Sequence, residues 1–346
     1  MSNSNDPIVL VLGGDDNYAL PMAVTLHSAL VHCTTDLPVI VYILDGGISL
    51  ANKQRLNHLA THAGPPVEMH WRSVTPASVP HSTHTASWLN DTAFLRLHIP
   101  DVLPLHHTRA LYLDSDLVVQ SNLGDLWITP FDGAAILAAQ DAGVPYVSDH
   151  RGLASYRALG LSPTAPYFNS GVMAMDLTRW RTERISEQVM NYLDAHAHEN
   201  HFGDQDGLNA VLAHDWKPLS AAWNVPHFIQ APYWTQNACA WADSGFLHEI
   251  RALRSHLPEA AHIIHYAGAD KPWDRASHYP LQWPWYQALW KSGWYPPAEE
   301  AKSRLAFYTR YAAERLLINP VRLGTRPLRH LLATRLAAPP RRSELS

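Results

Sequence analysis

The sequence contains few cysteines and few long apolar runs, and these shortages exclude several classes of protein. Its 346 residues include two cysteines, Cys33 and Cys239, which are far apart and show no CxxC spacing. This pattern predicts neither a zinc site nor a disulfide framework and is typical of a reducing compartment. No run of about 18 apolar residues occurs, so no membrane-spanning helix is predicted. The polar residues 1–7 lack the basic and apolar regions of a signal peptide, so we expect a cytoplasmic protein.

Charged residues are also scarce, and they are unevenly distributed. They make up 16% of the chain, against roughly 25% in ordinary soluble domains. Residues 301–346 hold ten Lys/Arg and two Glu, a net charge of +8, whereas residues 1–300 hold 16 Lys/Arg and 29 Asp/Glu, a net charge of −13. An acidic body of this kind argues against nucleic-acid binding.

The basic tail, residues 297–346, has apolar side chains that recur near helical spacing between arginines. This pattern predicts a basic amphipathic helical appendage. Such a helix either lies on an anionic membrane surface or packs on the body of the protein. We favour membrane contact, which would place the protein peripherally on the inner face of the cell membrane.

Predicted strands and helices alternate along residues 1–296. Apolar runs predict strands at residues 8–12, 39–44, 110–113, 134–139 and 261–264, and helical spacing predicts helices at residues 18–32, 49–60, 182–197 and 204–213. Residues 72–90 and 143–167 lack periodicity and predict irregular segments. The alternation indicates one α/β domain with a parallel sheet, in which ligands bind beyond the carboxyl ends of the strands.

Acidic residues follow the third predicted strand, in the stretch YLDSDL at residues 112–117. On an extended backbone, residues two apart face the same way, so Asp114 and Asp116 would present their carboxylates to one side. Paired carboxylates form a hard oxygen site for Mg²⁺ or Mn²⁺. The alternative is a capped turn with two solvated acids.

A second polar stretch, HYAGADKPW at residues 265–273, follows the last predicted strand. His265 offers an imidazole nitrogen to a metal, and Lys271 offers a positive charge to a phosphate. Gly268 would let the backbone approach a ligand closely. A histidine that is hydrogen-bonded for structural reasons is the alternative.

Two further stretches complete the set. Residues 168–173, FNSGVM, predict a polar turn that leads into an apolar strand, and residues 203–209, GDQDGLN, mark the start of a helix. Asp204 is placed to cap that helix through its side chain. Capping leaves the neighbouring Gln205 without an explanation.

Taken in this order, the stretches resemble the retaining glycosyltransferases of family 8, which include bacterial lipooligosaccharide galactosyl- and glucosyltransferases and, more distantly, glycogenin. Residues 15–19, DDNYA, look like the nucleoside loop of that family, and Arg96, within TAFLRL at residues 92–97, is similar to its donor-binding arginine. The resemblance covers about residues 8–275 and is carried by several motifs at compatible spacing. It implies a GT-A type nucleotide-sugar-binding domain over residues 1–296, with a Rossmann-like mixed sheet flanked by helices.

The resemblance also implies the substrates and the cofactor. The donor is a UDP-sugar, and galactose or glucose passes to a glycan or a lipid-linked acceptor. A divalent metal bridges the donor diphosphate, and a histidine ligand favours Mn²⁺ over Mg²⁺ independently of the family.

The site residues implied by the resemblance fall into three groups. The metal ligands are Asp114, Asp116 and His265. The donor-binding residues are Asp15, Asn17 and Tyr18 for the uridine, Gly268 and Lys271 for the diphosphate, and Arg96, Asp141 and Asp204 for the sugar. The catalytic residues are Asn169, Asp204 and Gln205. The irregular segment at residues 143–167 departs from the family pattern directly after Asp141.

The mechanism follows from where charge develops. Breaking the bond between sugar C1 and oxygen gives a diphosphate and an oxocarbenium-like sugar, and the metal and Lys271 would stabilise the negative charge. Retention requires a covalent intermediate or attack from the leaving-group face. Gln205 is a poor nucleophile and Asp204 a better one. We favour same-face attack, in which the departing phosphate oxygen accepts the proton of the acceptor.

Three other functions fit part of the sequence. A phosphatase or phosphotransferase with an aspartyl nucleophile also places Asp-x-Asp after an apolar strand, but its paired-acid motif is missing. A non-catalytic carbohydrate-binding protein would use tryptophans as stacking platforms, although such clusters are more often core; the candidates are Trp273, Trp283, Trp285, Trp290 and Trp294. A protein-glycosylating or self-glycosylating enzyme remains open within the glycosyltransferases.

Overall fold

In the computed structural model, the described residues are 6–74, 91–230, 245–274 and 281–318. The chain forms two compact units, Met1–Trp294 and Tyr295–Ser346. The expected boundary after residue 296 stays a prediction, since only residues 295–318 of the second unit are described.

Ten strands occur in the described part of the first unit. They are β1 (Ile8–Gly14), β2 (Val39–Asp45), β3 (Val67–Ser73), β4 (Arg109–Leu113), β5 (Leu117–Val119), β6 (Ile136–Gln140), β7 (Phe168–Asp176), β8 (Trp216–Leu219), β9 (Val225–Pro226) and β10 (Ile263–His265). Seven of these described strands form a mixed sheet in the order β3-β2-β1-β4-β7-β6-β8. Strand β7 runs antiparallel to β4 and β6, and the other neighbours are parallel.

Helices of the first unit cover this sheet and connect its strands, and one further described helix belongs to the second unit. They are α1 (Ala19–Val31), α2 (Leu50–His62), α3 (Ile99–Val102), α4 (Leu123–Trp127), α5 (Leu177–Thr182), α6 (Ile185–Ala195), α7 (Asp204–Val211), α8 (Gly245–Ser255), α9 (Gln282–Lys291) and, in the second unit, α10 (Pro297–Ile318). Short 3-10 helices lie at Asp16–Tyr18, Asp91–His98, Ala221–Asn224 and His227–Gln230. None of the described helices combines the length and the hydropathy that crossing a bilayer requires.

The core lies between the sheet and its helices. Strand β1 is apolar and buried along Ile8–Leu12, as expected for a central strand that is covered on both faces. Ten of the 13 residues of α1 are buried, including Thr25 and Ser28. These two hydroxyls do not face solvent because they bond to the backbone of the neighbouring strand β5.

A second, smaller sheet stands beside the large one. Its order is β5-β10-β9, with β10 antiparallel to β5 and parallel to β9. The register pairs His265 with Leu117, the residue that follows Asp116. This pairing brings the two polar stretches at residues 112–117 and 265–273 together.

Several predicted elements need correction. Strand β3 begins at Val67 and ends inside the segment predicted to be irregular, whose residues 75–90 lie outside the described residues. The predicted polar turn at residues 168–173 is already strand β7. The helix predicted over residues 182–197 is interrupted at Arg184, which adopts a left-handed conformation with φ 53° and separates α5 from α6.

Candidate active site

A cleft of about 360 Å³ opens beyond the carboxyl ends of β1, β4 and β6. Most of the residues singled out in the sequence line it. They are Tyr18, Arg96, Asp114, Asp116, Asp141, Asn169, Asp204, Gln205, His265, Gly268 and Lys271. The expected convergence of the polar stretches at one edge of the sheet is therefore present.

Two of the singled-out residues do not belong to the described lining of the cleft. Asp15 caps the 3-10 helix Asp16–Tyr18, and its carboxylate accepts hydrogen bonds from the backbone N–H groups of Asn17 and Tyr18 at 3.0 and 3.3 Å. This capped turn carries the Tyr18 ring into the cleft, where it packs edge-on against Trp273 at 6.1 Å between ring centroids. The role of Asp15 and Asn17 in nucleoside binding stays a prediction.

Asp114, Asp116 and His265 form the one group of three or more potential metal ligands among the described residues, with one ligand atom of each within 4.8 Å of the others. His265 Nε2 lies 3.3 Å from Asp116 Oδ1 and 3.7 Å from Asp114 Oδ2. The two aspartates occupy a turn between β4 and β5, not the extended backbone that the sequence suggested. The turn nevertheless presents both carboxylates to the same imidazole.

Each aspartate of this group also has a cationic partner. Arg96 Nη2 lies 3.0 Å from Asp114 Oδ1, which also accepts a hydrogen bond from the Tyr112 hydroxyl at 2.7 Å. Lys271 Nζ lies 2.5 Å from Asp116 Oδ2 and donates to the Tyr266 carbonyl at 2.8 Å. The alternative of two solvated acids is therefore wrong, since Asp116 is buried and both acids are paired.

The charges around Asp116 fix its ionisation. Burial opposes the charged form, but Lys271 holds the pKa of Asp116 below its usual range. Burial likewise disfavours a charged Lys271, and Asp116 outweighs it and raises the pKa of the ammonium. Both groups therefore stay charged over the physiological pH range.

Gly171 provides the space in which these ligands approach each other. A Cβ atom at position 171 would lie 2.4 Å from His265 Cε1 and 2.7 Å from Asp114 Oδ2, inside any normal contact distance. A glycine is therefore required where β7 passes beneath the ligand set. Two carboxylates, one imidazole and a neighbouring backbone without a side chain fit a divalent cation.

Arg96 connects the metal-ligand group to the start of α7. It is buried, and its Nη1 donates to the Ser170 carbonyl and hydroxyl at 2.7 and 2.8 Å. Its Nε lies 2.9 Å from Asp204 Oδ2. The N-cap of α7 is Gly203, so the capping role expected for Asp204 is wrong, and its carboxylate faces the cleft.

The carboxyl group of Asp204 is almost completely shielded from solvent. Asp204 is 2% exposed, and its Oδ2 accepts no hydrogen bond of good geometry from the described residues. Burial raises the pKa of Asp204 to about 7, although Arg96 opposes the shift. Arg96 is shared with Asp114, which limits how far it can stabilise the charged form.

Asp141, Asn169 and Gln205 form a hydrogen-bonded group on the other side of the cleft. Asp141 Oδ2 accepts from Asn169 Nδ2 at 2.8 Å and from Gln205 Nε2 at 3.3 Å, and Oδ1 accepts from two backbone N–H groups after β6. Gln205 Oε1 accepts from the Ser170 N–H at 3.1 Å. The irregular segment after Asp141 thus fixes this carboxylate.

Two polar residues of the site carry no recognisable signal in the sequence. Asn224 belongs to a 3-10 helix in a tryptophan-rich region without periodicity, and its Oδ1 lies 2.9 Å from His265 Nδ1. Arg151 lines the cleft from the irregular segment and donates to the Gly143 carbonyl at 2.6 Å. Neither residue stands in a motif, so only the fold reveals their place.

The tryptophans proposed as sugar-stacking platforms are mostly part of the core. Trp285, Trp290 and Trp294 are buried, and Trp283 is 36% exposed. Trp273 packs against Trp285 with ring centroids 5.4 Å apart. This packing supports the structural explanation for the cluster.

Comparisons with known proteins agree with this geometry. A family model described as Glycosyl transferase family 8 matches residues 9–277. The chain is 28% identical over 288 residues to General stress protein A of Bacillus subtilis, and the aligned residues cover 82% of this chain and 94% of that protein. It is 24% identical to the lipopolysaccharide 1,2-glucosyltransferase of Escherichia coli over 89% of this chain and 86% of that protein. The solved structure of the galactosyltransferase LgtC with donor and acceptor sugar analogues superposes with a TM-score of 0.69 at 22% identity, covering 85% of this chain and 100% of that one.

Proposed function

The chain belongs to glycosyltransferase family 8 and has the GT-A fold, and we propose that it is a retaining, manganese-dependent hexosyltransferase. In this proposal a UDP-sugar donates galactose or glucose to a glycan or a lipid-linked acceptor. The observation that carries the proposal is the convergence of Asp114, Asp116 and His265 beside Lys271 in one cleft. Two carboxylates and an imidazole suit Mn²⁺, and Mg²⁺ is the alternative ion.

Different residues of the cleft would bind different parts of the donor. The metal, when held by Asp114, Asp116 and His265, would supply positive charge to the diphosphate as it leaves. Lys271 lies next to that position and supplies a second positive charge, while Gly268, with φ 90°, leaves open space beside the backbone. Tyr18 would contact the uridine together with Asp15 and Asn17, and Arg96, Asp141 and Asp204 would bind the sugar.

The hydrogen bonds of Gln205 favour attack of the acceptor from the leaving-group face. Gln205 Oε1 accepts from the Ser170 N–H and its Nε2 donates to Asp141, so the amide serves to position its neighbours. Asp204 is ion-paired with Arg96, which lowers its nucleophilicity. We therefore assign Gln205, Asn169 and Asp204 to orienting the sugar and its surroundings, with the departing phosphate oxygen accepting the acceptor's proton.

The acceptor and the cellular site follow from two further observations. One relative is named for lipopolysaccharide glucosylation, and residues 301–346 of the basic tail carry a net charge of +8. Together they support a lipid-linked acceptor at the inner face of the cell membrane. A protein-glycosylating or self-glycosylating activity uses the same cleft and is the alternative.

A screen of nucleotide sugars tests this proposal without knowledge of the acceptor. Purified protein is incubated with UDP-galactose, UDP-glucose and other nucleotide sugars, with Mn²⁺ or with EDTA, and release of UDP is measured. We expect hydrolysis of one UDP-hexose that depends on Mn²⁺ and is lost in Asp114→Asn, which keeps the shape of the side chain. Metal-independent hydrolysis would contradict the metal assignment, and a protein that binds glycans but hydrolyses no donor would support the non-catalytic alternative.

A further inference from the structure

A chain of side-chain hydrogen bonds runs from the proposed metal ligand His265 to Asp141. His265 Nδ1 lies 2.9 Å from Asn224 Oδ1, Asn224 Nδ2 lies 2.8 Å from Asn169 Oδ1, and Asn169 Nδ2 lies 2.8 Å from Asp141 Oδ2. The four residues come from four separate parts of the fold, namely β10, a 3-10 helix, β7 and the end of β6. His265, Asn224 and Asp141 are buried, so water has little access to replace these bonds.

The direction of these hydrogen bonds is fixed at Asn169 by two groups, of which one can only accept and the other can only donate. The carboxylate of Asp141 can only accept, and the backbone N–H of Gly171, which lies 2.9 Å from Asn169 Oδ1, can only donate. Both contacts require the same orientation of the Asn169 amide, with Nδ2 towards Asp141 and Oδ1 towards Gly171. The orientation is thus set by the bonding partners themselves.

The fixed orientation of Asn169 then determines the orientation of Asn224 and the tautomer of His265. Asn169 Oδ1 is an acceptor, so Asn224 must turn its Nδ2 towards it and its Oδ1 towards His265. Asn224 Oδ1 can only accept, so His265 Nδ1 must carry a hydrogen. In neutral imidazole that leaves Nε2 as a bare lone pair. This nitrogen is the one that faces Asp116 Oδ1 and Asp114 Oδ2.

We propose that Asn224 and Asn169 are positioning residues that keep the proton of His265 on Nδ1, so that Nε2 is ready to bind the metal. The inference rests on the proposed function, since it takes His265 as a metal ligand. It also assigns Asn169 a task beyond lining the reaction centre, because its amide oxygen and one amide N–H are used within the chain. Removing a partner of this kind from a metal-ligating histidine typically costs 10–100-fold in metal affinity.

The protonation of His265 can be observed directly. Nitrogen-15 histidine spectra of the metal-free protein distinguish the two ring nitrogens of a neutral imidazole, and a His265→Gln sample assigns the signal. We expect Nδ1 protonated and Nε2 bare. A wild-type signal with the proton on Nε2, or one averaged over both nitrogens, overturns the proposal.

Two substitutions at position 224 separate tautomer control from simple packing. Asn224→Leu removes the acceptor for Nδ1, and we expect mixed tautomers and Mn²⁺ affinity lowered about 10–100-fold in an electron paramagnetic resonance titration. Asn224→Asp keeps the acceptor but loses the donor to Asn169, so it should be less stable yet retain the tautomer and bind Mn²⁺ within a few-fold of wild type. Asn200→Leu is the matched control, because Asn200 is a buried amide that takes no part in this series of hydrogen bonds. It should change neither the tautomer of His265 nor the Mn²⁺ affinity.

The outcomes also distinguish this inference from the proposed function. Wild-type Mn²⁺ affinity in a folded Asn224→Leu protein contradicts the positioning role while leaving the metal site intact. If that variant does not fold, loss of the tautomer in Asn224→Asp gives the same contradiction. If the wild-type protein shows the expected tautomer but binds no Mn²⁺, the series of hydrogen bonds is supported and the metal assignment is contradicted.

Discussion

At the scale of single residues, three carboxylates of the cleft share two cations, the buried Arg96 and the half-buried Lys271. Asp116 pairs with Lys271, whereas Asp114 and Asp204 both approach Arg96. Removing one member of such a buried set leaves an uncompensated charge, which costs more than the pair contributes. Because the ligand carboxylates already have cationic partners, we expect EDTA to abolish donor hydrolysis without unfolding the protein.

Gly171→Ala tests whether the ligand set depends on the absence of a side chain. The added Cβ would lie 2.4 Å from His265 Cε1 and 2.7 Å from Asp114 Oδ2, so one ligand must move. We expect Mn²⁺ affinity and Mn²⁺-dependent donor hydrolysis to fall by at least about tenfold, since site geometry must hold to about 0.5 Å. Gly245→Ala, where a Cβ meets no atom of the described residues within 4 Å, is the control and should behave as wild type. Unchanged Mn²⁺ binding in Gly171→Ala would mean that the three residues do not hold the ion together.

Asp204→Asn tests the dry environment of Asp204 through the pH dependence of stability. Burial raises the pKa of Asp204 to about 7, above its value in the unfolded chain, so between about pH 4 and pH 7 the unfolded state binds fewer protons at this group. Stability therefore decreases as pH rises through this window, by up to about 4 kcal/mol from this group. Urea unfolding at several pH values should show a smaller decrease for Asp204→Asn than for wild type. Parallel profiles for the two proteins would show that Asp204 is already charged in the folded state at low pH.

At the scale of elements, most strands with an apolar run were predictable, and the polar or very short strands mostly were not. Strands β1, β2, β4 and β6 follow from apolar runs that end at acidic or glycine residues. Strand β3, VEMHWRS, is only partly buried and mixes polar with apolar residues, so it gave no clear periodicity. Strand β10 overlaps the apolar run predicted at residues 261–264, whereas the three-residue strand β5 directly follows the acidic turn and was not predicted. Strand β10 pairs with both β5 and β9, so the smaller sheet is built from segments that are distant in the sequence.

The smaller sheet decides where His265 meets Asp116, and α1 holds that sheet in place. Thr25 Oγ1 donates to the Leu117 carbonyl at 3.0 Å and accepts from the Leu117 N–H at 2.9 Å, while Ser28 accepts from the Val119 N–H at 3.0 Å. Two side chains of a helix thus take the place of a neighbouring strand. A hydroxyl inside an apolar helix face could not be assigned this task from the sequence, because the partner is 92 residues away.

Thr25→Val removes these bonds with almost no change of shape. It leaves the buried backbone N–H and carbonyl of Leu117 without partners, and an unsatisfied buried group costs about 1–3 kcal/mol. We expect the free energy of unfolding to fall by about 2–4 kcal/mol and Mn²⁺ to bind more weakly, because Asp116 precedes Leu117. Thr61→Val on the exposed face of α2 should stay within about 0.5 kcal/mol of wild type. Equal urea midpoints for both variants would show that the Thr25 bonds do not support β5.

At the scale of the whole molecule, the motifs gave the family and most of the cleft, but not the connections between its residues. The sequence named Asp114, Asp116, His265 and Lys271, and the structure brings all four together. It could not show that Asn224 orients His265, because the two residues are 41 positions apart. A sequence motif specifies neither the distance between two side chains nor the direction of a hydrogen bond.

The charge asymmetry of the chain gives a prediction that does not depend on the cleft. Residues 301–346 carry +8 and residues 1–300 carry −13, so an anionic membrane should attract the tail and repel the body. Each Lys or Arg near an anionic bilayer contributes about 1 kcal/mol. Six arginines lie in residues 319–346, outside the described part of the chain, and they are Arg322, Arg326, Arg329, Arg335, Arg341 and Arg342. Replacing all six by glutamine should therefore weaken binding to anionic vesicles by several orders of magnitude.

The measurement is sedimentation of the full chain and of the six-glutamine variant with phosphatidylglycerol vesicles, and with neutral phosphatidylcholine vesicles as the control. The wild-type chain should sediment with the anionic vesicles at low salt and be released as salt rises, because the Debye length falls from about 30 Å at 0.01 M to about 8 Å at 0.15 M. The variant should stay in the supernatant and still hydrolyse its UDP-sugar as the wild-type chain does, since the residues to which we assign metal binding, donor binding and catalysis all lie between Asp15 and Lys271. If the wild-type chain ignores anionic vesicles even at low salt, where screening is weakest, the tail does not bind membranes. Its arginines would then act by offsetting the negative charge of the body.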